Sequence, residues 1–204
     1  MPRRPPTSDQ VLHVMNRGAR RLRLFENDAD YQTFLASLVH GLEKVPVRLL
    51  AYCVMPNHFH LVVRPTDSGQ LGRFMQRVTS MHSRRWHRSR GSEGTGCVYQ
   101  GRYRAVVVRS DEQFLAVCRY VERNAVRAKL VMRAEDWPWS SLYQRCRNCH
   151  PIPLQAWPIL QPSDWLSFVN QQEPEAEIKS IRRPIGPRPG GRPRTEPQSQ
   201  KLLG

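Results

Sequence analysis

Three absences in the sequence limit where the protein is expected to work. No apolar run approaches the roughly 20 residues that a membrane-spanning helix needs. Residues 1–10 are basic and proline-rich and lack the apolar core of a signal peptide. The five cysteines are odd in number and do not follow the spacing of a disulfide framework. We therefore expect a protein of the reducing cytoplasm without a membrane partner.

Acidic residues are also scarce. The 204-residue chain has 17 Asp and Glu against 32 Lys and Arg, a formal net charge of +15. Most of the positive charge is arginine, whose planar guanidinium suits bidentate contacts with phosphate. A solvated basic surface would explain such a composition, but the excess favours a polyanionic partner, with nucleic acid as the leading candidate.

The apolar residues, 39% of the chain, fall in periodic segments. Their spacing predicts the order βαββαβα, in which hairpin-linked strands alternate with helices. This order predicts an α+β domain, a ferredoxin-like antiparallel sheet with packed helices. Strands are predicted at residues 11–16, 47–55, 59–63 and 103–108, and helices at residues 28–43, 70–87 and 111–129.

The composition divides the chain into three parts. Residues 1–130 form the predicted main domain, and residues 131–170 are a Trp- and Pro-rich appendage packed on it. Residues 171–204 are a basic Pro/Gly/Arg-rich tail with no core-forming pattern, which predicts disorder. Residues 88–96 read as a polar, mobile loop.

The most informative stretch is a turn followed by a strand at residues 55–63. Side chains alternate along a strand, so His58 and His60 share one face, roughly 6.5 Å apart along the backbone. Phe59 and Leu61 point to the opposite face, towards a core. Two imidazoles on one face can hold a metal ion, although such a pair alone is more often hydrogen-bonded structure.

The helix at residues 111–129 supplies a second group of reactive side chains. Ser110 is the predicted N-cap, and an apolar stripe marks the core-facing side. Tyr120 and Asn124 are four residues apart, so they are neighbours on one border of that stripe. A second row, on the more exposed side, consists of Arg119, Arg123 and Arg127.

Together the strand and the helix suggest phosphoryl-transfer chemistry. A divalent ion held by His58, His60 and the amide oxygen of Asn124 would keep open positions for phosphate oxygens. The softness of imidazole favours Mn2+, whereas cellular abundance favours Mg2+. Tyr120 would attack the phosphorus and leave a phosphotyrosine and a free 3′-hydroxyl, while arginines stabilise the developing charge.

Other basic and aromatic residues are predicted to contact DNA. Tyr99 and Tyr103 compete with Tyr120 for the role of nucleophile, although they also suit base stacking. The predicted DNA-contact residues are Arg17, Arg73, Arg77, Arg84, Arg85, Arg102, Tyr103, Arg104, Arg119, Arg123 and Arg127.

Several of these motifs resemble one known family. The His-hydrophobic-His pattern of residues 58–60 looks like that of the HUH endonucleases, and Tyr120 with Asn124 resembles the helix of the single-tyrosine transposases. Within that superfamily, several separate sequence motifs resemble those of the REP-associated tyrosine transposases and occur in the order found in that group. They are VMNRG at 14–18, MPNHFHL at 55–61, YQGRY at 99–103, YVERNAVRA at 120–128 and WPWSS at 137–141.

The resemblance spans about residues 10–145 and implies an HUH endonuclease fold. It also implies a nuclease and strand transferase that cuts single-stranded DNA near palindromic hairpins through a 5′-phosphotyrosine intermediate. Two positions depart from the family pattern: Ala125 stands where Pro is common, and Asn124 stands where some relatives have Gln. Ala125 predicts a more continuous helix.

Two alternatives from other classes stay open at this point. One is a non-catalytic module that binds single-stranded nucleic acid, and the other is a metal phosphodiesterase that uses water as the nucleophile. The sequence leaves open whether the chain is a monomer or a homodimer.

Overall fold

The computed structural model describes residues 9–148 and 152–182. Within these residues a four-stranded sheet has the order β2-β3-β1-β4, and every neighbouring pair is antiparallel. The predicted α+β fold, an antiparallel sheet with packed helices, is confirmed. The strands are β1 (Leu12–Arg17), β2 (Arg48–Met55), β3 (His58–Arg64) and β4 (Arg104–Val107).

Helices cover both faces of the sheet. The back face is covered by α1 and α2, and the front face by α3 together with α6 and α7. Each face therefore has its own apolar core. The helices are α1 (Asp28–Lys44), α2 (Gln70–Arg90), α3 (Asp111–Glu122), α4 (Asn124–Arg127), α5 (Ser141–Arg147), α6 (Trp165–Asn170) and α7 (Glu175–Arg182).

Side-chain caps fix the starts of three helices. The Asn27 side chain accepts the Asp30 N–H at the start of α1, and Ser110 Oγ accepts the Gln113 N–H at the start of α3. Ser140 caps α5 in the same way. These bonds satisfy backbone N–H groups that have no partner within the helix. The N-cap predicted at Ser110 is therefore confirmed.

The appendage of residues 131–170 packs along β2, the edge strand of the sheet. Trp137 Nε1 donates to the Val54 carbonyl at 2.9 Å, and Trp157 Nε1 donates to the Leu50 carbonyl at 3.0 Å. An open sheet edge is a template for unwanted pairing. The indoles occupy carbonyls of that edge and attach the appendage to the domain.

Three predictions about element ends are wrong. Residues 88–90, expected in a loop, are the last residues of α2. The helix expected over residues 111–129 is interrupted at Arg123, where ψ is 1°, so α4 is separate from α3 despite Ala125. The tail expected to be disordered from residue 171 contains α7, which is ordered by contacts with the front core. Residues 183–204 lie outside the described residues.

Candidate active site

The histidine pair lies on the front face of the sheet, on β3. The ring centroids of His58 and His60 are 5.0 Å apart and the rings are perpendicular. Phe59 and Leu61 point to the back face, where both are fully buried. Strand alternation therefore places the four side chains as the sequence predicts.

Both histidines have one ring nitrogen held by a neighbour. His58 Nδ1 lies 2.7 Å from Asn57 Oδ1, an acceptor, so His58 Nδ1 carries the proton and Nε2 keeps its lone pair. His60 Nδ1 lies 2.9 Å from His13 Nε2 on β1. When His60 donates in that bond, its Nε2 is also free to bind a metal ion, because a neutral imidazole has one donor and one acceptor nitrogen.

His13 is a residue of this site that the sequence analysis missed. It is 1% exposed and stacks on His60 with a centroid distance of 5.1 Å. The available signal was a single imidazole between Leu12 and Val14 in an apolar strand. That signal does not reveal the partner, because the pairing of β1 with β3 is non-local.

Burial keeps these imidazoles neutral. Desolvation, with a smaller effect from nearby cations, lowers the pKa of His13 and of His58 to about 4. Desolvation also lowers the pKa of His60 well below its usual value, followed by repulsion from His13 and His58. A metal ion requires neutral imidazole ligands, so at neutral pH the pair on β3 is in the ligating form.

Helix α3 brings Tyr120 over the histidines. Its ring lies edge to face with His60 at a centroid distance of 5.6 Å, and 5.9 Å from His13. Two arginines flank the phenol: Arg182 Nε donates to Tyr120 Oη at 3.3 Å, and the Arg127 guanidinium lies 3.9 Å from the ring centroid. The phenol is 5% exposed, so it is buried among imidazoles and cations.

Asn124 follows Tyr120 by one helical turn and is 6% exposed. Its Nδ2 has no hydrogen-bond partner among the described residues. No three His, Cys, Asp or Glu side chains of residues 9–148 and 152–182 come together as a metal-binding group. A third protein ligand beside the two histidines would therefore be of another residue type, and the carboxamide of Asn124, through its oxygen, remains the predicted candidate.

The arginine row of α3 and α4 is not exposed as predicted. Arg119 is 4% exposed and donates to the carbonyls of Gln171 and Gln172. Arg127 Nη1 donates to Glu173 Oε2 at 2.6 Å, and Arg123 lies 3.9 Å from the same oxygen. The row holds residues 171–182, called here the C-terminal segment, against the front face. The error has one cause, since that segment was expected to be disordered.

Glu122 is a second residue that the sequence analysis did not single out. Its carboxylate is fully buried and accepts hydrogen bonds from Ser141 Oγ at 2.6 Å, from Trp165 Nε1 at 2.8 Å and from Arg145. A buried charge is tolerated when it is paired and hydrogen-bonded. Glu122 therefore ties α3, and with it Tyr120, to the appendage.

The other predicted DNA-contact residues lie outside the buried site. Arg17 is exposed, is in register with His58 and donates to Gln100 Oε1. Tyr103 packs on the back core. The remaining members are exposed, along α2 or beside β4: Arg73, Arg77, Arg84, Arg85, Arg102 and Arg104.

The competing tyrosines are on the other side of the sheet. Tyr99 is buried in the back core, where its hydroxyl lies 2.7 Å from His82 Nδ1. Tyr103 packs against that same core. The front face therefore brings His58, His60 and Tyr120 together, and it leaves both alternatives behind the sheet.

Comparisons of the sequence with known proteins find similar transposases. The family model described as "Transposase IS200 like" matches residues 7–124. A Haemophilus influenzae protein named as a REP-associated tyrosine transposase is 23% identical over 119 residues, which is 54% of this chain and 68% of that protein.

No helix among the described residues is long and apolar enough to span a membrane.

Two solved structures are similar to this chain, and the first of them shows the same fold. The structure of a REP-associated tyrosine transposase bound to a REP hairpin aligns with a TM-score of 0.58 and 19% identity, over 80% of this chain and 94% of that chain. A transposase from Deinococcus radiodurans aligns with a TM-score of 0.42 and 17% identity, over 58% of this chain and 93% of the other.

The family match runs from before β1 to the first residue of α4, so it contains His58, His60, Tyr120 and Asn124. It also covers more than half of the chain. The chain therefore belongs to the IS200-like transposase family, and its resemblance to the REP-associated tyrosine transposases, predicted from its motifs, is confirmed.

Proposed function

We propose that the protein is a metal-dependent single-stranded DNA endonuclease and strand transferase of the REP-associated type. Its partner would be DNA that folds into palindromic hairpins, as the names of the Haemophilus relative and of the hairpin-bound structure suggest. One observation carries the proposal: the Tyr120 ring packs on His60 within a cluster of cations, although the two residues are 60 positions apart.

A divalent ion, Mg2+ or Mn2+, would be held by His58 and His60 through Nε2 and by Asn124 through its amide oxygen. The contacts of the two Nδ1 atoms with Asn57 and His13 support the histidine part of this ligand set, and Asn124 is buried four residues after Tyr120. Such an ion supplies Lewis acidity at a phosphate oxygen.

The side chains supply the remaining steps. Tyr120 Oη loses its proton and attacks the phosphorus, and an O–P bond forms. The bond from phosphorus to the 3′-oxygen breaks, and that oxygen takes up a proton and leaves as a 3′-hydroxyl. Arg127, whose guanidinium lies over the Tyr120 ring, stabilises the negative charge that develops on the phosphoryl oxygens. Attack by a 3′-hydroxyl on the phosphotyrosine reverses the step, so strands are exchanged rather than hydrolysed. Because Tyr120 is buried under the C-terminal segment, that segment must shift before a DNA strand can reach it.

The test is a denaturing gel of protein mixed with a labelled single-stranded hairpin and Mn2+. Wild type is expected to form a covalent adduct, and Tyr120→Phe is expected to form none while still binding the DNA. Tyr99→Phe and Tyr103→Phe are the matched controls and should keep the adduct.

An adduct that survives Tyr120→Phe would refute the assignment of the nucleophile. Metal-dependent cleavage without any adduct would instead indicate a phosphodiesterase that uses water. Salt-sensitive binding without cleavage would indicate a binding module.

A further inference from the structure

A cavity of about 350 Å³ opens on the back face, between the start of α2 and the segment that leads into β4. Its volume falls in the range of roughly 300–1,000 Å³ that is typical of small-ligand pockets. The walls include Asn16 at the end of β1, Gln76 and Thr79 of α2, and Arg102 and Tyr103. None of these residues belongs to the histidine–tyrosine site.

The cavity walls combine a flat ring with groups that can read a base edge. Tyr103 is half-buried and presents a phenol, a surface on which nucleobases stack. Gln76 is exposed at the mouth and carries a donor and an acceptor in one plane, as adenine recognition by amides requires. Thr79 Oγ1 donates to the Met75 carbonyl at 2.7 Å, so its lone pairs can still accept.

The Asn16 carboxamide is held in a fixed orientation but does not use all of its hydrogen-bonding groups. Its Nδ2 donates to the Gly101 carbonyl at 3.3 Å, and its Oδ1 accepts the backbone N–H of Arg17 at 2.8 Å. A carboxamide has two donor hydrogens and two acceptor lone pairs. One donor and one acceptor of Asn16 therefore remain for a ligand.

A glycine in α2 keeps the cavity open. Gly72 lies inside the helix, where glycine is less favourable than alanine. A Cβ atom at Gly72 would meet only Tyr103 Oη, at 4.0 Å, an ordinary contact. Gly41 differs, because a Cβ there would lie 2.5 Å from Val78 and would collide with α2. Packing thus requires a glycine at position 41 but not at position 72, where a larger side chain would enter the cavity.

The cavity lies close to the candidate active site across the end of one strand. Asn16 and Arg17 are consecutive on β1, so their side chains point to opposite faces. Asn16 faces the cavity, whereas Arg17 is in register with His58 of the histidine pair. A DNA strand that bends around this end of the sheet would pass from the cavity to the front face. Arg102, exposed and 5.5 Å from the Tyr103 ring centroid, is placed to meet a phosphate on the way.

We propose that this cavity binds one unpaired nucleobase of the DNA strand that Tyr120 cleaves, stacked on Tyr103 and read by Asn16 and Gln76. The cavity would then contribute to the sequence preference of cleavage. This inference rests on the proposed function for the identity of the strand. Base binding itself requires neither the metal ion nor the phenol.

The experiment measures binding in EDTA, so that cleavage plays no part. The probes are a hairpin oligonucleotide from palindromes that flank the gene, with single-stranded arms, and a set in which one arm nucleotide at a time is abasic. Gly72→Leu fills the cavity. Ser89→Leu adds the same side chain at an exposed position near the other end of α2 and is the matched control.

Wild type and Ser89→Leu should bind about tenfold more weakly when one particular arm nucleotide is abasic. Gly72→Leu should bind the intact probe about tenfold more weakly and bind every abasic probe equally, with a melting temperature no lower than that of wild type. The inference is overturned when no single position matters in wild type, or when Gly72→Leu keeps the position dependence. Failure of the proposed function has a separate signature, an adduct that survives Tyr120→Phe.

Discussion

Two buried imidazole–phenol pairs lie on opposite faces of the sheet, and their surroundings differ. On the back face, Tyr99 Oη and His82 Nδ1 are 2.7 Å apart within an apolar core. Burial raises the pKa of Tyr99 far above its usual value and lowers the pKa of His82 to about 4. The members of this pair satisfy each other, and the pair is structural.

The front pair, His60 and Tyr120, has its polar atoms directed elsewhere. His60 bonds to His13, and Tyr120 Oη bonds to Arg182. Beside them, His13 Nδ1 and Asn124 Nδ2 have no hydrogen-bond partner among the described residues. On the back face, histidine and tyrosine therefore satisfy each other's hydrogen bonds. On the front face, the same residue types lie among cations and beside polar atoms that have no hydrogen-bond partner. Chemistry is expected where groups are left unpaired.

The largest expected difference between the pairs is in metal-dependent adduct formation. His60→Asn should reduce the adduct below detection, because one of the two proposed imidazole ligands is lost. His82→Asn, its counterpart behind the sheet, should keep adduct formation at a temperature at which both variants are folded. The measurement is the denaturing gel with Mn2+. Equal loss in both variants would mean that the two faces do not differ in this way.

His13 tests the contact that orients His60. His13→Leu should raise the Kd for Mn2+ about 10–100-fold, the usual cost of losing a partner of a metal-binding histidine. His13→Gln, which keeps an acceptor, should recover part of this affinity, and His82→Leu should leave it unchanged. Electron paramagnetic resonance of free Mn2+ gives the affinity without any DNA. An unchanged Kd in His13→Leu would remove His13 from the site.

Loss of the Tyr99 hydroxyl should destabilise the fold more than loss of the Tyr120 hydroxyl, whereas only loss of the Tyr120 hydroxyl should abolish activity. Tyr99→Phe leaves a buried ring nitrogen of His82 without its donor and should lower the free energy of unfolding by about 1–3 kcal/mol. Tyr120→Phe loses only a long bond of 3.3 Å and should cost about 1 kcal/mol or less. Urea unfolding of both variants measures the difference. A larger loss in Tyr120→Phe would assign it a structural role.

A further difference between the pairs is in the pH dependence of stability. The pKa of His82 is about 4 in the folded state and 6.5 without the fold, so the unfolded chain binds more protons between these values. The free energy of unfolding should therefore fall as the pH drops from 6.5 to 4, by up to about 1.4 kcal/mol per pH unit for this residue. His82→Gln should show a shallower fall in urea unfolding at pH 7, 6 and 5. If the free energies of unfolding of wild type and His82→Gln fell in parallel with pH, His82 would not be the cause of the fall.

Local patterns were enough to predict part of the site. Alternation along β3 places His58 and His60 on one face, and helical spacing places Asn124 one turn after Tyr120. The link between His13 and His60 was not predictable, because it depends on which strands pair. The burial of Arg119 was missed for a related reason, since it depends on residues 171–182 returning to α3. Contacts between distant segments leave little trace in a single sequence.

The buried carboxylate of Glu122 has a consequence for minimal versions of the enzyme. A fragment that stops near residue 130 would keep the whole family match but would lack Ser141, Arg145 and Trp165. Its helix α3 would then expose the apolar surface that the appendage covers, and the Glu122 carboxylate would lose its three hydrogen-bond donors. The smallest active unit should thus extend well past the region that the family model matches, to the end of α6 at least.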